Sequence, residues 1–418
     1  MEYKKYENDT YNLYTIKTDK FRNCRIEVIF RDKCTKESIT NLDLLFDILM
    51  ESNEMYKTHK LFARRKQDLY NLRLYAVNSR VGAMQISNVI AEFLDPKYME
   101  EDVLESIIET LFDTIFRPNV TGGAFDEDTF DLIKKRLINE IDSIKENPKQ
   151  QSLLNALNEL DASSPKAYYS CGYKDIIEDM TPKKLYDYYK KVLENSYVDV
   201  YVIGNLDMDN VNNLIKKYAK FNTIKTSELD LYLDECVCKK KKSVDGKSNT
   251  SQMQLVNIYT LNHLSEYETN TVMPIFNMIF GSGSLDSKLY KLLRGENSLC
   301  YNLASYNQKY DRVLIVYTAI DKENSSMALN LCKRGLDDMI KGNISESELE
   351  NAKRIMVTSL NMTYDSPSRL IDNYLFSNIA NLKSIDERID EYKKVSVYDL
   401  VKVAKKINLA LTYRMGNF

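Results

Sequence analysis

The sequence predicts an α+β fold made of two similar halves, each a mixed β-sheet flanked by helices. Three observations carry this. Strand-like and helix-like runs interleave along the chain, the pattern of a layered mixed architecture. Two segments recur at nearly the same offset, which points to a duplication. The length, 418 residues, suits two to three domain-sized units at one per roughly 100–200 residues.

The elements follow in order. CRIEVIFR (24–31) alternates apolar and polar residues and reads as a strand. NLDLLFDILMES (41–52) is apolar nearly all round and reads as a buried helix. Residues 69–93 hold two strand-like runs around Asn78 and Ser79, a hairpin signal. Residues 100–116, between Pro96 and Pro118, and residues 126–146 carry helical periodicity. VDVYVIGNLD (198–207) is a β-branched run ending at a Gly-Asn turn, and a helix follows it at DNVNNLIKKYAKF. In the second half QLVNIYTL and RVLIVYTAI read as strands, and 267–280, 285–294 and 325–341 as helices.

The repeat is visible by inspection. Residues 126–148 align without gaps on 345–367, so that Glu127 falls on Glu346, Phe130 on Leu349, Lys134 and Lys135 on Lys353 and Arg354, and Pro148 on Pro367. Residues 180–205 resemble 395–417 with about three residues deleted. The division expected from this is an N-terminal half over 1–225, a linker over 226–250 and a C-terminal half over 251–418. The linker assignment rests on the basic run Lys239 to Lys242 and the polar stretch Ser243 to Ser251.

Composition excludes several classes. A net charge of −3 implies no broad basic surface for nucleic acid. No apolar run is long enough to span a membrane, and the first twenty residues have no apolar core of a secretory signal. Seven scattered cysteines lack a disulfide-framework spacing and fit a reducing cytoplasm. Cys236-x-Cys238 has no second ligand pair nearby and reads as two incidental thiols. Gly281-x-Gly283 lacks the further glycine and lysine of a phosphate loop. The two histidines, His59 and His263, are too far apart in sequence to share the helical face a two-histidine zinc helix needs. His59 reads as the start of a surface helix and His263 as a loop residue after a strand.

The segment Gly281 to Tyr301, GSGSLDSKLYKLLRGENSLCY, carries the most specific signal. A glycine-rich turn leads into Ser287, Lys288, Leu289 and Tyr290, then Arg294, then Tyr301. This resembles the insulinase-like (pitrilysin-type) peptidase family, where S-R-L-[FY]-x-x-L-R is followed by G-L-x-Y. Further likeness lies in FRPN and GGAFDEDTF, in the helix holding Glu140, and in residues 171–207. The resemblance covers most of the chain and is nearest to a YmfF/AlbE-type bacterial subgroup whose members lack the zinc motif. Two positions depart from the pattern. Lys288 replaces an arginine, and Asn297-Ser298 stands where a glycine would close the turn.

The family's zinc motif is H-x-x-E-H on an early helix, with a third ligand, Glu, on a later one. Here the early helix resembles NLDLLFDILMES. In that register Asp43 and Asp47 replace the two histidines, Phe46 replaces the general base, and Glu140 keeps the third-ligand position. Asp43 and Asp47, four residues apart, share one helical face. With Glu140 they offer three carboxylates, which read either as a hard-cation set or as a polar face without metal. Phe46 removes the general base in both cases.

The resemblance thus implies an insulinase-like (LuxS/MPP-like) duplicated fold. It implies no cofactor on this chain, with zinc on a partner subunit carrying H-x-x-E-H, and peptide as substrate. Arg294 and Tyr301 would bind substrate, Arg through its planar donor fork and Tyr through its hydroxyl. The alternative is a catalytically silent peptide-binding or scaffold protein, a homodimer.

Overall fold

A computed structural model describes residues 1–222, 229–236, 240–282 and 285–417. The chain divides into two compact units, Met1–Ser143 with Tyr169–Asp230, and Ile144–Tyr168 with Leu231–Phe418.

The first unit opens with β1 (Glu2–Glu7), β2 (Asn12–Lys17) and β3 (Asn23–Lys33), followed by α1 (Lys36–Leu49) and α2 (His59–Asp68). Next come β4 (Arg73–Val81), β5 (Met84–Leu94), α3 (Leu104–Phe116), and the short pair β6 (Val120–Thr121) and β7 (Ala124–Phe125). Then follow α4 (Glu127–Glu146) and α5 (Pro148–Asp161), the latter grouped with the second unit. The first unit resumes at α6 (Lys174–Glu178), α7 (Pro182–Asn195), β8 (Tyr197–Gly204) and α8 (Met208–Tyr218). Its sheet runs β1-β2-β8-β3-β5-β4, with β2 and β8 parallel and the other neighbours antiparallel.

Period-2 alternation on β3 sorts this sheet's two faces. Cys24, Ile26, Val28 and Phe30 join the helices in one core with Val89, Ala91 and Phe93 of β5 and Val200 and Val202 of β8. The other face carries charge. Arg25 pairs with Glu27 at 2.5 Å, and Arg31 with Asp199 at 2.8 Å. Glu27 and Asp199 are both buried, and each has the partner that burial of a carboxylate requires. The helix α1 begins at a reciprocal cap in which Thr35 and Ser38 satisfy each other's backbone N–H.

The second unit repeats this order. It holds β9 (Lys242–Lys247), β10 (Met253–Thr260), a π-turn (Glu268–Val272) leading into α9 (Met273–Phe280), and α10 (Lys288–Tyr290) leading into a second π-turn (Lys291–Gly295). Then follow β11 (Cys300–Gln308), β12 (Val313–Ile320), α11 (Ser325–Lys341), α12 (Glu346–Asn361), α13 (Pro367–Ala380), α14 (Ile385–Lys394), α15 (Val397–Ala404) and β13 (Asn408–Gly416). Its sheet runs β9-β13-β10-β12-β11, again with one parallel pair, β9 with β13. Strand for strand this is β2-β8-β3-β5-β4 of the first unit. The recurring prolines Pro148 and Pro367 each open a helix, α5 and α13, where a missing N–H costs nothing. Two mixed sheets with the same order and flanking helices are the duplicated architecture that the recurrent segments indicated.

The two sheets differ in what covers their second face. β10 and β12 are buried along their whole length, the pattern of strands covered on both sides. One face packs on the unit's helices. On the other, Val256, Ile258, Ile315 and Leu411 meet Ala156 and Leu160 of α5. Asn155 donates to the Tyr413 hydroxyl at 3.2 Å, and the Lys149 ammonium lies over the rings of Tyr306 and Tyr317.

The structure therefore divides the chain differently from 1–225, 226–250 and 251–418. Residues 144–168 group with the later half because α5 covers an apolar sheet face. The 226–250 stretch includes an edge strand, since β9 pairs in parallel with β13. Its side chains are largely exposed, so backbone pairing holds it and no hydrophobic signal marks it. Lys239 of the basic run and Cys238 of Cys236-x-Cys238 lie outside the described residues, as does Gly283 of the glycine turn. The hairpin turn is also displaced. Asn78 and Ser79 are inside β4, and the chain reverses at Gly82, whose φ of 58° supplies the turn.

Gly204 closes β8 with φ of 152°, and a Cβ there would lie 2.4 Å from the Cys24 sulfur. Gly204→Ala is expected to destabilise the chain by about 2 kcal/mol or more, read as a lowered urea midpoint at unchanged slope.

Candidate functional site

Helix α1 has two faces of opposite character. Phe46 is 1% exposed and its ring lies 5.3 Å from that of Phe30 on β3. Asp43 and Asp47, offset around the helix, are only partly buried. The position of the expected general base is thus part of the hydrophobic core, while the two positions of the expected histidines face outward.

Around the carboxylates the structure gathers groups that the motif comparison did not name. Asp43 accepts a side-chain hydrogen bond from Asn78, and burial, with the charges of Asp47 and Glu140 nearby, pushes its carboxyl up to about 7. Asp47 and Glu140 are therefore near enough to act on it. Arg136 of α4, one turn before Glu140, donates to Asp47 Oδ2 at 2.8 Å, and its Nη1 lies 3.6 Å from Glu51. Glu51 in turn meets His59 Nδ1 at 2.7 Å. Cys171 adjoins the same carboxylates. Burial, then the charges of Asp43 and Glu140, push its thiol up to about 11. The chain crosses α1 here closely enough that a Cβ on Gly172 would lie 2.7 Å from Thr40 Oγ1. Arg136 was open to discovery from the sequence, because i, i+4 spacing puts it on the face of Glu140. Cys171 and Asn78 carry no such local signal.

These residues do not fit zinc. Zinc takes nitrogen, sulfur and carboxylate donors in a tight tetrahedron. Here Asp47 is committed to a guanidinium, Phe46 is in the core, and among the described residues no group of three His, Cys, Asp or Glu converges to hold a metal ion. What the arrangement can do is electrostatic. Arg136 brings a fixed positive charge to a carboxylate cluster, and Asp43 is held largely as the neutral acid below neutral pH.

The second cluster belongs to the second unit. Lys291–Gly295 widens the helix into a π-turn, closed by the Glu296 N–H donating to the Lys291 carbonyl at 2.8 Å. Such widened turns recur at functional positions. Arg294 sits within it. Its guanidinium carbon lies 5.2 Å from the Tyr290 ring centre and 5.5 Å from that of Tyr301, and Nη1 donates to the Tyr301 carbonyl at 3.4 Å. Tyr301 itself is 81% exposed at the start of β11. A tyrosine on a strand presenting most of its surface to solvent is uncommon in a packed fold, and here a stacked arginine orients it.

The two departures from the motif have local explanations. Ser298, at the glycine position, keeps the left-handed backbone with φ of 51°, so the turn's shape survives the substitution. Lys288 donates to the Asn343 carbonyl at 2.6 Å and pairs with Glu348, tying α10 to the start of α12. Leu289 behind them fills the space between Gly281 and Gly335, where a Cβ on either glycine would come within 2.9 Å of it. The histidines have local roles: His59 opens α2, and His263 lies beside Glu235 at 3.1 Å.

Residues 179–356 match the family model described as the peptidase M16 inactive domain. The chain is also 24% identical over 405 residues to "Probable inactive metalloprotease YmfF" of Bacillus subtilis, covering 96% of this chain and 94% of that one. The chain is thus similar to M16, insulinase-like, peptidases along most of its length. Solved structures agree in fold. A conserved protein from Enterococcus faecalis V583 superposes with a TM-score of 0.93 at 22% identity, over 100% of this chain and 99% of the other. A peptidase M16 inactive domain from Pseudomonas fluorescens gives 0.80 at 14% identity, over 100% and 99%. The matched family model and the Bacillus subtilis relative are both described as inactive. No helix among this chain's described residues is long and apolar enough to cross a membrane.

Asp43 gives a pH signature. An ordinary Asp titrates near 3.9, and in the folded chain Asp43 titrates at about 7. The folded state therefore holds a proton that the unfolded state releases, and stability falls as pH rises through that interval. Asp43→Asn is expected to remove this fall, leaving the variant more stable than the parent by up to about 4 kcal/mol at pH 8 and closest to it near pH 4. Urea denaturation of both proteins across that range checks it.

Proposed function

We propose that this chain is the non-zinc-binding subunit of a heterodimeric insulinase-like peptidase. Its partner carries H-x-x-E-H and the zinc, and the reaction is hydrolysis of peptides. The observation that carries the reading is the asymmetry between the two units. The two expected histidine positions are carboxylates beside Arg136, and the expected general-base position is a core phenylalanine. The Arg294–Tyr301 pair, by contrast, is intact, stacked and exposed. Arg294 would hold a peptide carbonyl or carboxylate through its donor fork. The Tyr301 hydroxyl would donate to the oxygen that gains charge as the scissile carbonyl is attacked. Binding and orientation can sit on one chain while the metal sits on another, because positioning is a separable part of catalysis. The cytoplasmic assignment rests on the scattered cysteines and goes with this reading.

The test is reconstitution. The purified chain is mixed with a zinc-bearing M16 subunit from the same genome and peptide cleavage is followed. Cleavage should require both chains. Arg294→Ala and Tyr301→Phe should each lower kcat/KM, on the order of a hundredfold for a lost transition-state donor. Undiminished cleavage with both substitutions would contradict the proposal. It would favour the homodimeric, catalytically silent peptide-binding protein instead.

A further inference from the structure

The second unit holds a cavity of about 310 Å³, within the size range of small-ligand sites, beside the hairpin that joins β11 to β12. Lys309, Arg312 and Asn307 line it from the hairpin, and Asn270 from the π-turn before α9. A second cavity of about 310 Å³ shares Glu266 and Asn270 with it and is lined by Arg388 of α14.

The charges here are unbalanced. Lys309 is mostly buried, donates to the neutral Asn270 Oδ1 at 3.2 Å, and lies 4.4 Å from the centre of the Tyr310 ring. No carboxylate among the described residues pairs with it. Burial and the nearby positive charge of Arg388 push its ammonium down to about 8. Arg388 is half-buried and donates to Asn373 Oδ1, again with no carboxylate partner among the described residues. Arg312 has one, Glu235 at 3.0 Å, but its Nε is buried without a hydrogen-bond partner. The Nε of Arg388 and the Oδ1 of Asn307 are in the same state. Buried polar atoms are almost always satisfied, and leaving them unpaired is costly. Three such atoms and two uncompensated cations along one pair of adjoining cavities indicate that a partner supplies the missing contacts. The nearby acids do not. Glu266 is an exposed residue of the lining, and Glu391 is taken by Lys383 and Thr271.

We propose that these two adjoining cavities together bind a small ligand through a carboxylate or phosphate group held by Lys309 and Arg312 from one and Arg388 from the other. Asn307 Oδ1 would accept a hydrogen bond from an N–H or O–H of the same ligand. The site uses neither Arg294 nor Tyr301 and needs no partner chain, so it stands apart from the subunit reading.

The experiment is a thermal-unfolding and calorimetric titration of the full chain at constant ionic strength. The probes are inorganic phosphate, a short peptide with a free C-terminal carboxylate, and the same peptide amidated. Binding of phosphate alone assigns a phosphate ligand. Binding of the free acid but not the amide assigns a carboxylate. In either case Lys309→Met and Arg388→Gln should each weaken binding about tenfold or more, as expected for loss of a charge-assisted hydrogen bond. Lys309→Met should also raise the melting temperature of the ligand-free chain, since it removes an unpaired buried charge. No stabilisation of the parent by phosphate or free-acid peptide beyond that of chloride would overturn the proposal. So would binding that persists unchanged in both variants.

Discussion

Phe46 packs its ring against Phe30 beneath the first sheet, and almost none of its surface reaches solvent. A side chain in that position contributes to holding α1 on β3, and a buried phenylalanine of this kind is worth roughly 3–5 kcal/mol on truncation. The same position in a zinc-dependent relative of this fold would have to hold a carboxylate against a polarised water. One side chain cannot do both. The fixed orientation of α1 also sets the opposite face, where Asp43 and Asp47 point out to Arg136, Glu51 and Glu140. The exposed ion pairs there add little stability, typically about 0–1 kcal/mol each. Their effect is to neutralise a carboxylate cluster locally.

The duplication shows how one scaffold came to present different chemistry. Both sheets have the same strand order and one parallel pair, so both offer a helix after the equivalent central strand, β3 or β10. In the first unit that helix is α1. In the second it is α9, apolar apart from Asn277, and in the next segment a further π-turn sets Arg294 between two tyrosine rings. Packing differs in parallel. Charged residues on alternate positions of β3 make a polar second face, whereas apolar residues of β10 and β12, among them Val256, Ile258 and Ile315, pack on α5.

The duplicated layout was legible in the sequence for physical reasons. Capped, proline-opened helices and β-branched strands are local signals, and the recurring Pro148 and Pro367 mark one feature twice. The Arg294–Tyr301 stretch was legible because its contacts are local, within one turn and one strand start. Non-local features were not. β9 is an edge strand whose side chains are mostly exposed, so only its pairing with β13, far away in sequence, defines it. The placement of α5 depends on an apolar face assembled from several strands. Lys309 near Arg388 brings together residues from separate elements, and no spacing rule reports it; for Arg136 the spacing to Glu140 marks the helix face but not its pairing with Asp47. Asn78 was read as a turn because its residue type favours one, but its strand pairing with Ser87 overrides that preference.

The carboxylates at the expected histidine positions, one of them held by Arg136, leave this chain without a zinc site. The direct measurement is the metal content of the chain purified alone after exposure to zinc and dialysis, by mass spectrometry under native conditions and by elemental analysis. Zinc far below one equivalent per chain is expected. One tightly held zinc per chain, lost on substituting Asp43 or Asp47, would contradict it.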